Sequence, residues 1–595
     1  CLVGILLPMG VYALGDPPFA PGALGKPVQG TVGKVKVNLT LPKNITSEDW
    51  TMANYDYSMS RNSPQTEIGP SNVNQLQVKW IFDTGFPVEN PPLIVGDIAF
   101  IQNNAMEVYA VDLHNGTNYW EYSHPGIVQN GSTPTGTYSH GMFYENGTIY
   151  APMGPAKTYV ALDASTGDLK WESPTINAIT QGFRESMMPL VWKDYVVIGS
   201  ALGDEPPFQP GPTGVLAALN KSTGEIVWQK STVTGAWVAG NNSTVNGGAT
   251  CPWGGSIDPE KGIFYAGTGN PSPDFTNRTR PGPNLYTNNI IAVNISDGKY
   301  LWATPFVASG SPFANSSKMP PFTLTDVHDY DVSWGNHLVT VNTSNGSKQM
   351  VIGHDKAGNV MAMDAATGKP IWFGNFAITK NTDTMPAPNG SPPTWPGPEM
   401  GIEDYSAVDN NTLYIAVTNK GCIFYVSPNG TEGFAAPAFD EMANGFGNGS
   451  VIAIDLATGN KTWEYPTDYP TYVSPLVTNG LVFAGHMTAT GKPYQYNFFS
   501  HPEKTPIMPT GIIFALDKKT GKKVWEFNLG AGPSIGGASI GHGMLLFPTG
   551  NPSGLPVNKG SYVVAFGLPG NMTSPMTSNT TANMTGNMTN TTNKT

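Results

Sequence analysis

Four short stretches of this sequence carry side chains able to hold a cation or move a proton. Asp326-Val327-His328-Asp329-Tyr330-Asp331 presents three carboxylates. Such groups ligate hard cations and take a proton from a hydroxyl, although an acidic run is also consistent with a solvated turn. Gly199-Ser200-Ala201-Leu202-Gly203-Asp204-Glu205 sets two acids side by side after the apolar run Tyr195-Val196-Val197-Ile198. Tyr265-Ala266-Gly267-Thr268-Gly269-Asn270-Pro271 offers an amide oxygen, suited to a hard cation or, equally, to capping a Gly/Pro turn. His354-Asp355-Lys356-Ala357-Gly358 adds an ammonium. The only cysteines, Cys1, Cys251 and Cys422, lack the spacing of a zinc site, a disulfide framework or a Cys-x-x-Cys-His haem attachment.

The elements that must position these residues are legible as a repeat. Tyr109-Ala110-Val111-Asp112 is followed by Gly116 and Trp120, and Val160-Ala161-Leu162-Asp163 by Thr166-Gly167 and Trp171. The phrase returns at Ala218/Asn220/Gly224/Trp228, Ala292/Asn294/Gly298/Trp302, Ala362/Asp364/Gly368/Trp372, Ala453/Asp455/Gly459/Trp463 and Ala515/Asp517/Gly521/Trp525, always with Trp eight residues after the Asp or Asn. Each copy reads as an apolar strand, a tight turn needing side-chain hydrogen bonds and positive φ, and a second strand ending in Trp. Trp80 ends a similar run, Gln77 to Phe82, without the upstream half. The mean Trp spacing from Trp80 to Trp525, about 64 residues, accommodates a four-stranded antiparallel blade with long loops. Eight such units predict an all-β, eight-bladed β-propeller.

Composition agrees. The 595 residues include 69 Gly and 53 Pro, against a usual combined share of roughly 12%, which disfavours long helices and suits short strands joined by turns. Charged residues are 12% and the net charge is -12, a balance that argues against nucleic acid and anionic membranes as partners. Residues 1–15 read as the apolar part of a signal peptide lacking its start, too short to span a bilayer. Together with 24 Asn-x-Ser/Thr sequons they predict an exported, glycosylated protein. Residues 16–46 then form an N-terminal extension, 47–568 the propeller, and 569–595 an Asn/Thr-rich disordered tail carrying six sequons.

The phrase Ala-x-Asp-x-x-Thr-Gly-x-x-x-Trp resembles the tryptophan-docking motif of the pyrroloquinoline quinone (PQQ) propellers, and the start from Trp50 to Trp80 resembles quinoprotein alcohol dehydrogenases, whose two chain ends complete one blade. Gly-Thr-Gly-Asn-Pro followed by Arg280-Pro281-Gly282-Pro283-Asn284 is similar to the segment whose Asn ligates that family's active-site metal, which implies this role for Asn270; Pro283 stands where the family often has Asp. Asp326 to Asp331 resembles the family's Asp-x-Trp-Asp-Tyr-Asp, with His328 replacing Trp. The resemblance makes Asp329 a metal ligand and the base that takes the alcohol proton, and makes Asp331 the extra carboxylate of lanthanide-dependent members. It assigns Glu205, with Asp204 as its rival, to the metal. Gly247 to Gly254 is similar to Gly-Gly-x-x-Trp-Gly, whose Trp floors the quinone, here Trp253. Lys356 stands where an Arg or Lys bonds the quinone oxygens, and Ser186 where a hydroxyl contacts a cofactor carboxylate.

The resemblance therefore implies PQQ with Ca²⁺ or a lanthanide ion, oxidation of a primary alcohol or similar hydroxyl compound by hydride transfer, and a separate electron carrier such as a cytochrome c or blue-copper protein. Two features depart from it. The stretch Ser132 to Met142 lacks the family's adjacent cysteines, which an Arg follows, and offers His140 instead; no haem-attachment motif is present. The rival reading is a cofactor-free propeller serving as a surface binding or assembly scaffold, and the metal-site phrases argue against it.

Overall fold

The computed structural model describes residues 38–127, 139–176, 187–200, 214–232, 253–272, 286–306, 329–382, 391–426, 447–488, 510–550 and 560–570, save 333, 335, 345, 398 and 399, together with the backbone of 247–248 and 433–437. The repeat phrases form the two outer strands of successive antiparallel blades. In the first copy Val108–Asp112 pairs with Asn118–Tyr122, Ala110 lies opposite Trp120, and the register shifts directly after it. The same Ala–Trp pairing recurs at Ala161–Trp171, Ala218–Trp228, Ala292–Trp302, Ala362–Trp372, Ala453–Trp463 and Ala515–Trp525. A bulge at a fixed place re-aims the side chain beside it, here the Trp.

That aim carries each indole into the next blade. Trp80 donates its Nε1–H to Leu113 O at 2.8 Å, Trp120 to Ala164 O at 3.1 Å, Trp228 to Ile295 O at 2.6 Å and Trp372 to Leu456 O at 2.8 Å. Trp171, Trp302 and Trp463 do the same to Lys221, Ala365 and Lys518. In every case the acceptor directly follows the Asp or Asn of the neighbouring copy. The motif glycine serves two ends at once. Gly167 has φ +73°, and a Cβ there would meet the Trp120 ring at 2.7 Å, so the turn needs both the positive φ and the missing side chain. Trp525 faces a blade without a copy and packs edge-on against Phe566, ring centroids 5.7 Å apart.

Eight four-stranded sheets result, one of them extended by a fifth short strand. The isolated Trp80 is explained by ring closure: Gln77–Asp83 is the outermost strand of a blade whose other strands are Ser539–Gly541, Met544–Pro548 and Tyr562–Gly567. Asn62–Ser63 adds in parallel to Val473–Thr478. Beside it Arg61, fully buried, donates to Pro475 O, Ala53 O, Asn54 Oδ1 and Ala538 O, fastening the early chain to the last two blades. The residues assigned to the signal peptide, and those of the tail beyond Gly570, lie outside the described residues.

Candidate active site

The propeller separates its turns into two ends. The docking hairpins lie at one. At the other, the second strand of a blade hands over to its third and the outer strand leads to the next inner strand, and there four of the sequence-predicted residues meet. Asn270 follows Ile263–Gly267, Asp329 and Asp331 precede His337–Thr343, and Lys356 sits in the turn between Gly346–His354 and Asn359–Asp364. All four are buried.

Their hydrogen bonds form one closed group. The Asn270 side-chain amide donates to Asp329 Oδ1 at 2.7 Å, its backbone N–H to Asp331 Oδ1 at 2.6 Å, and its Oδ1 accepts the Tyr330 N–H at 3.1 Å. Lys356 Nζ lies 3.1 and 3.2 Å from the two Asp329 oxygens and 3.0 Å from Asp331 Oδ2. The Lys356 N–H also donates to Asp331 O at 3.1 Å, which ties the two loops through their backbones. Two buried carboxylates therefore share one ammonium, an arrangement with room in its charge balance for another cation. Tyr330, between them, is fully buried and donates its hydroxyl to Pro396 O at 3.0 Å.

An aromatic group completes the site. Trp253 precedes the inner strand Gly255–Asp258 and packs against Trp334, centroids 4.0 Å apart and planes 37° apart. His140 meets Trp253 edge-on at 4.8 Å, and Tyr405 meets Trp334 at 5.5 Å while donating its hydroxyl to Trp253 O at 3.0 Å. The Nε1–H groups of Trp253 and Trp334 are buried without an acceptor, an expensive state that a bound polar group would relieve.

Buried ionisable groups surround this cluster. Burial pushes the Asp355 carboxyl up to about 7 against the hydrogen bonds of Asn359. It pushes Asp404 well above the usual carboxylate range, with the Arg61 guanidinium opposing; neither Asp404 oxygen has a hydrogen-bond partner. Burial likewise pulls His354 down to about 3 and His337 to about 4. Both rings contact the Ser406 hydroxyl, at 3.0 and 2.6 Å.

Glu205, its rival Asp204, and Ser186 lie outside the described residues, as does His328. Among the described residues no three His, Cys, Asp or Glu side chains cluster as a metal site; the oxygen set comprises Asp329, Asp331 and the amide of Asn270. Hard oxygen donors, a nearby ammonium and unsatisfied indole N–H groups fit a hard cation and a planar, anionic quinone. Sequence reading missed Trp334, Tyr405 and Asp404. The one available signal was that six of the 14 Trp, Trp334 among them, fall outside the docking positions.

Comparisons with known proteins agree with the propeller fold. The family model described as glucose/ethanol/alcohol dehydrogenase, β-propeller domain, matches residues 50–411, and one described as outer membrane protein assembly factor BamB matches residues 356–539. The chain is 26% identical to the quinoprotein alcohol dehydrogenase PedH of Pseudomonas putida over 79% of this chain and 80% of that protein. It is 25% identical to the lanthanide-dependent methanol dehydrogenase of Methylacidiphilum fumariolicum over 81% of each. The solved europium-containing methanol dehydrogenase, 21% identical, superposes with a TM-score of 0.69 over 88% of this chain and 98% of its own, which places the two in one fold. With more than half of its length matched by the family model, the chain belongs to the PQQ family of glucose, ethanol and alcohol dehydrogenase β-propellers.

Proposed function

We propose that the protein oxidises a primary alcohol or similar hydroxyl compound in an exported location, with Asp329 as the base and with Asn270, Asp329, Asp331 and Glu205 holding a Ca²⁺ or lanthanide ion beside PQQ. The observation that carries this reading is the Asn270–Asp329–Asp331–Lys356 cluster, two buried carboxylates fixed by an amide and sharing one ammonium. When bound, PQQ would supply the hydride acceptor and the ion a Lewis acid.

The chain's own residues do the rest. Asn270 fixes the orientation of both carboxylates, so the Asp329 carboxylate is held ready to take the hydroxyl proton of the alcohol. The Asp331 carboxylate adds a further anionic oxygen, which favours an ion of higher charge. Lys356 pairs with both carboxylates and would be the residue to donate to the quinone oxygens. Trp253 supplies the flat apolar wall that orients the ring and excludes water. Among the described residues no helix is long and apolar enough to cross a membrane. A separate carrier, a cytochrome c or blue-copper protein, removes the electrons.

The test is Asp329→Asn. Turnover should fall by roughly 10²–10⁴-fold, the usual weight of a positioned base, while PQQ titration of the metal-loaded protein remains saturable. Retained turnover would remove Asp329 from its role. Wild-type protein that is folded yet binds neither PQQ nor metal would point to the scaffold reading, which the BamB-type match over residues 356–539 favours.

A further inference from the structure

The flat wall at Trp253 is not held by a hydrogen bond from its own ring. Its Nε1–H is buried without an acceptor, and so is that of Trp334, the indole packed against it at 4.0 Å. A ring that orients a planar ligand must be placed to within about half an ångström, so its setting has to come from its neighbours. Trp253, Trp334 and Tyr405 stand just before the inner strands Gly255–Asp258, His337–Thr343 and Ala407–Asp409 of three successive blades. No local turn fixes one of them against another.

Tyr405 touches both indoles. Its hydroxyl donates to Trp253 O at 3.0 Å, and its ring meets Trp334 edge-on, centroids 5.5 Å and planes 82° apart. Burial pushes its phenol above the usual value, with the Arg61 guanidinium opposing, so the hydroxyl keeps its proton and stays a donor. Tyr405 is itself gripped from two sides. Its N–H donates to Ser474 Oγ of the following blade at 3.0 Å, and the guanidinium carbon of Arg61 lies 5.8 Å from its ring centre, a cation–π contact strengthened by burial. Arg61 belongs to a stretch that runs round the inner edge of the ring: Trp50 pairs with Ile94, Tyr57 O accepts the Ile257 N–H, Ser60 O the Val408 N–H and Arg61 O the Val477 N–H. The grip on Tyr405 is therefore that of the closed ring, and it reaches Trp253 in two contacts.

We propose that Tyr405 is a positioning residue, which passes the setting of the Arg61 stretch to Trp253 and so fixes the wall on which the cofactor lies, acting only through the indole. The inference rests on the quinoprotein reading, under which Trp253 floors the quinone. Its test uses the full chain loaded with Ca²⁺ or La³⁺, as wild type, Tyr405→Phe, Trp253→Ala and the double variant. Thermal midpoints of the unloaded proteins identify folded variants, and PQQ affinity is read by fluorescence titration.

Tyr405→Phe keeps the ring and its contact with Trp334 and removes only the hydroxyl. PQQ affinity should fall about three- to tenfold, the weight of one hydrogen bond. On the Trp253→Ala background no indole remains to be placed, and the same change should leave affinity within about twofold. Unchanged affinity in folded Tyr405→Phe protein would overturn the proposal and leave the hydroxyl a structural contact. An equal loss on both backgrounds would overturn it too, because Tyr405 would then touch the cofactor directly. Failure of the wild type to bind PQQ would refute the quinoprotein reading and this inference with it, whereas a binding wild type with an indifferent Tyr405→Phe refutes the inference alone. Should Trp253→Ala not fold, or bind too weakly to titrate, Trp253→Leu, which keeps an apolar side chain but no plane, decides.

Discussion

The two ends of the propeller solve opposite problems. At the docking end the motif is repeated seven times, its indole N–H groups and most of its turn atoms are satisfied within the hairpin or by the next blade, and its acids, Asp112 apart, are part-exposed. Asp517 Oδ1 accepts the N–H and hydroxyl of Thr520 at 2.8 and 2.7 Å, and those bonds hold its carboxyl below the usual range. At the site end every residue occurs once. Carboxylates, an ammonium, imidazoles and indole N–H groups are buried, several with no partner for a polar atom. The first end is built to be complete without a ligand, whereas the second leaves charge and hydrogen bonding to be completed by what binds. Concentrating unsatisfied groups in one place is a signature of function.

The largest effect should come from breaking the docking end. Trp372→Ala removes a buried indole and its hydrogen bond to Leu456 O in the next blade, at a cost of about 3–5 kcal/mol. Because stability of the ring is shared, the melting temperature should fall while kcat of the remaining folded protein stays near wild type. A selective loss of kcat would mean that the two ends are coupled.

Lys356→Met comes next and probes the other end. It leaves Asp329 and Asp331 buried without their shared ammonium, a change of roughly 3 kcal/mol in metal-free protein. Adding Ca²⁺ or La³⁺ should raise the melting temperature of the variant more than that of the wild type, since the ion replaces the lost charge. Equal shifts would show that the carboxylates do not hold the ion.

The same contrast explains what the sequence disclosed. The eight-bladed ring was legible because Trp, Gly and Asp/Asn recur at fixed spacing for a local geometric reason: bulge, positive φ and an indole that needs the next blade's carbonyl. Even ring closure was foreshadowed by Trp80 lacking its upstream half. The grouping of Asn270, Asp329, Asp331 and Lys356 came from a resemblance, since nothing local marks an Asn two strands and about 60 residues away from its carboxylates. Trp334 and Asp404 stayed hidden because burial of a polar or aromatic side chain beside the site depends on strands from several blades. No periodicity within one segment reports it.

A smaller effect separates the two ends by pH. His354 is neutral when folded, its pKa pulled down to about 3 by burial, while the unfolded value is about 6.5. Between those values the unfolded chain binds the extra proton, so this residue's contribution to stability is lost as pH falls below 6.5. Ser406 has a single hydroxyl proton to share between His354 and His337. One ring must therefore accept while the other donates, and protonating the accepting ring breaks that match. Asp355, raised to about 7 by burial, runs the other way: folded, it keeps its proton where the unfolded carboxyl has lost it, so its contribution falls as pH rises from about 4 to 7. The summed profile mixes the two, but the difference between wild type and His354→Gln isolates one ring. The destabilisation caused by the substitution should shrink by about 1.4 kcal/mol between pH 7.5 and pH 5.5, measured by denaturant titration at each pH. Asp517 at the docking end, whose carboxyl is lowered by Thr520, titrates only below the usual carboxylate value near 4, so Asp517→Asn should leave that interval flat. A pH-independent penalty for His354→Gln would mean that the imidazole pair already exchanges with solvent, and that the site end is as open to water as the docking turns.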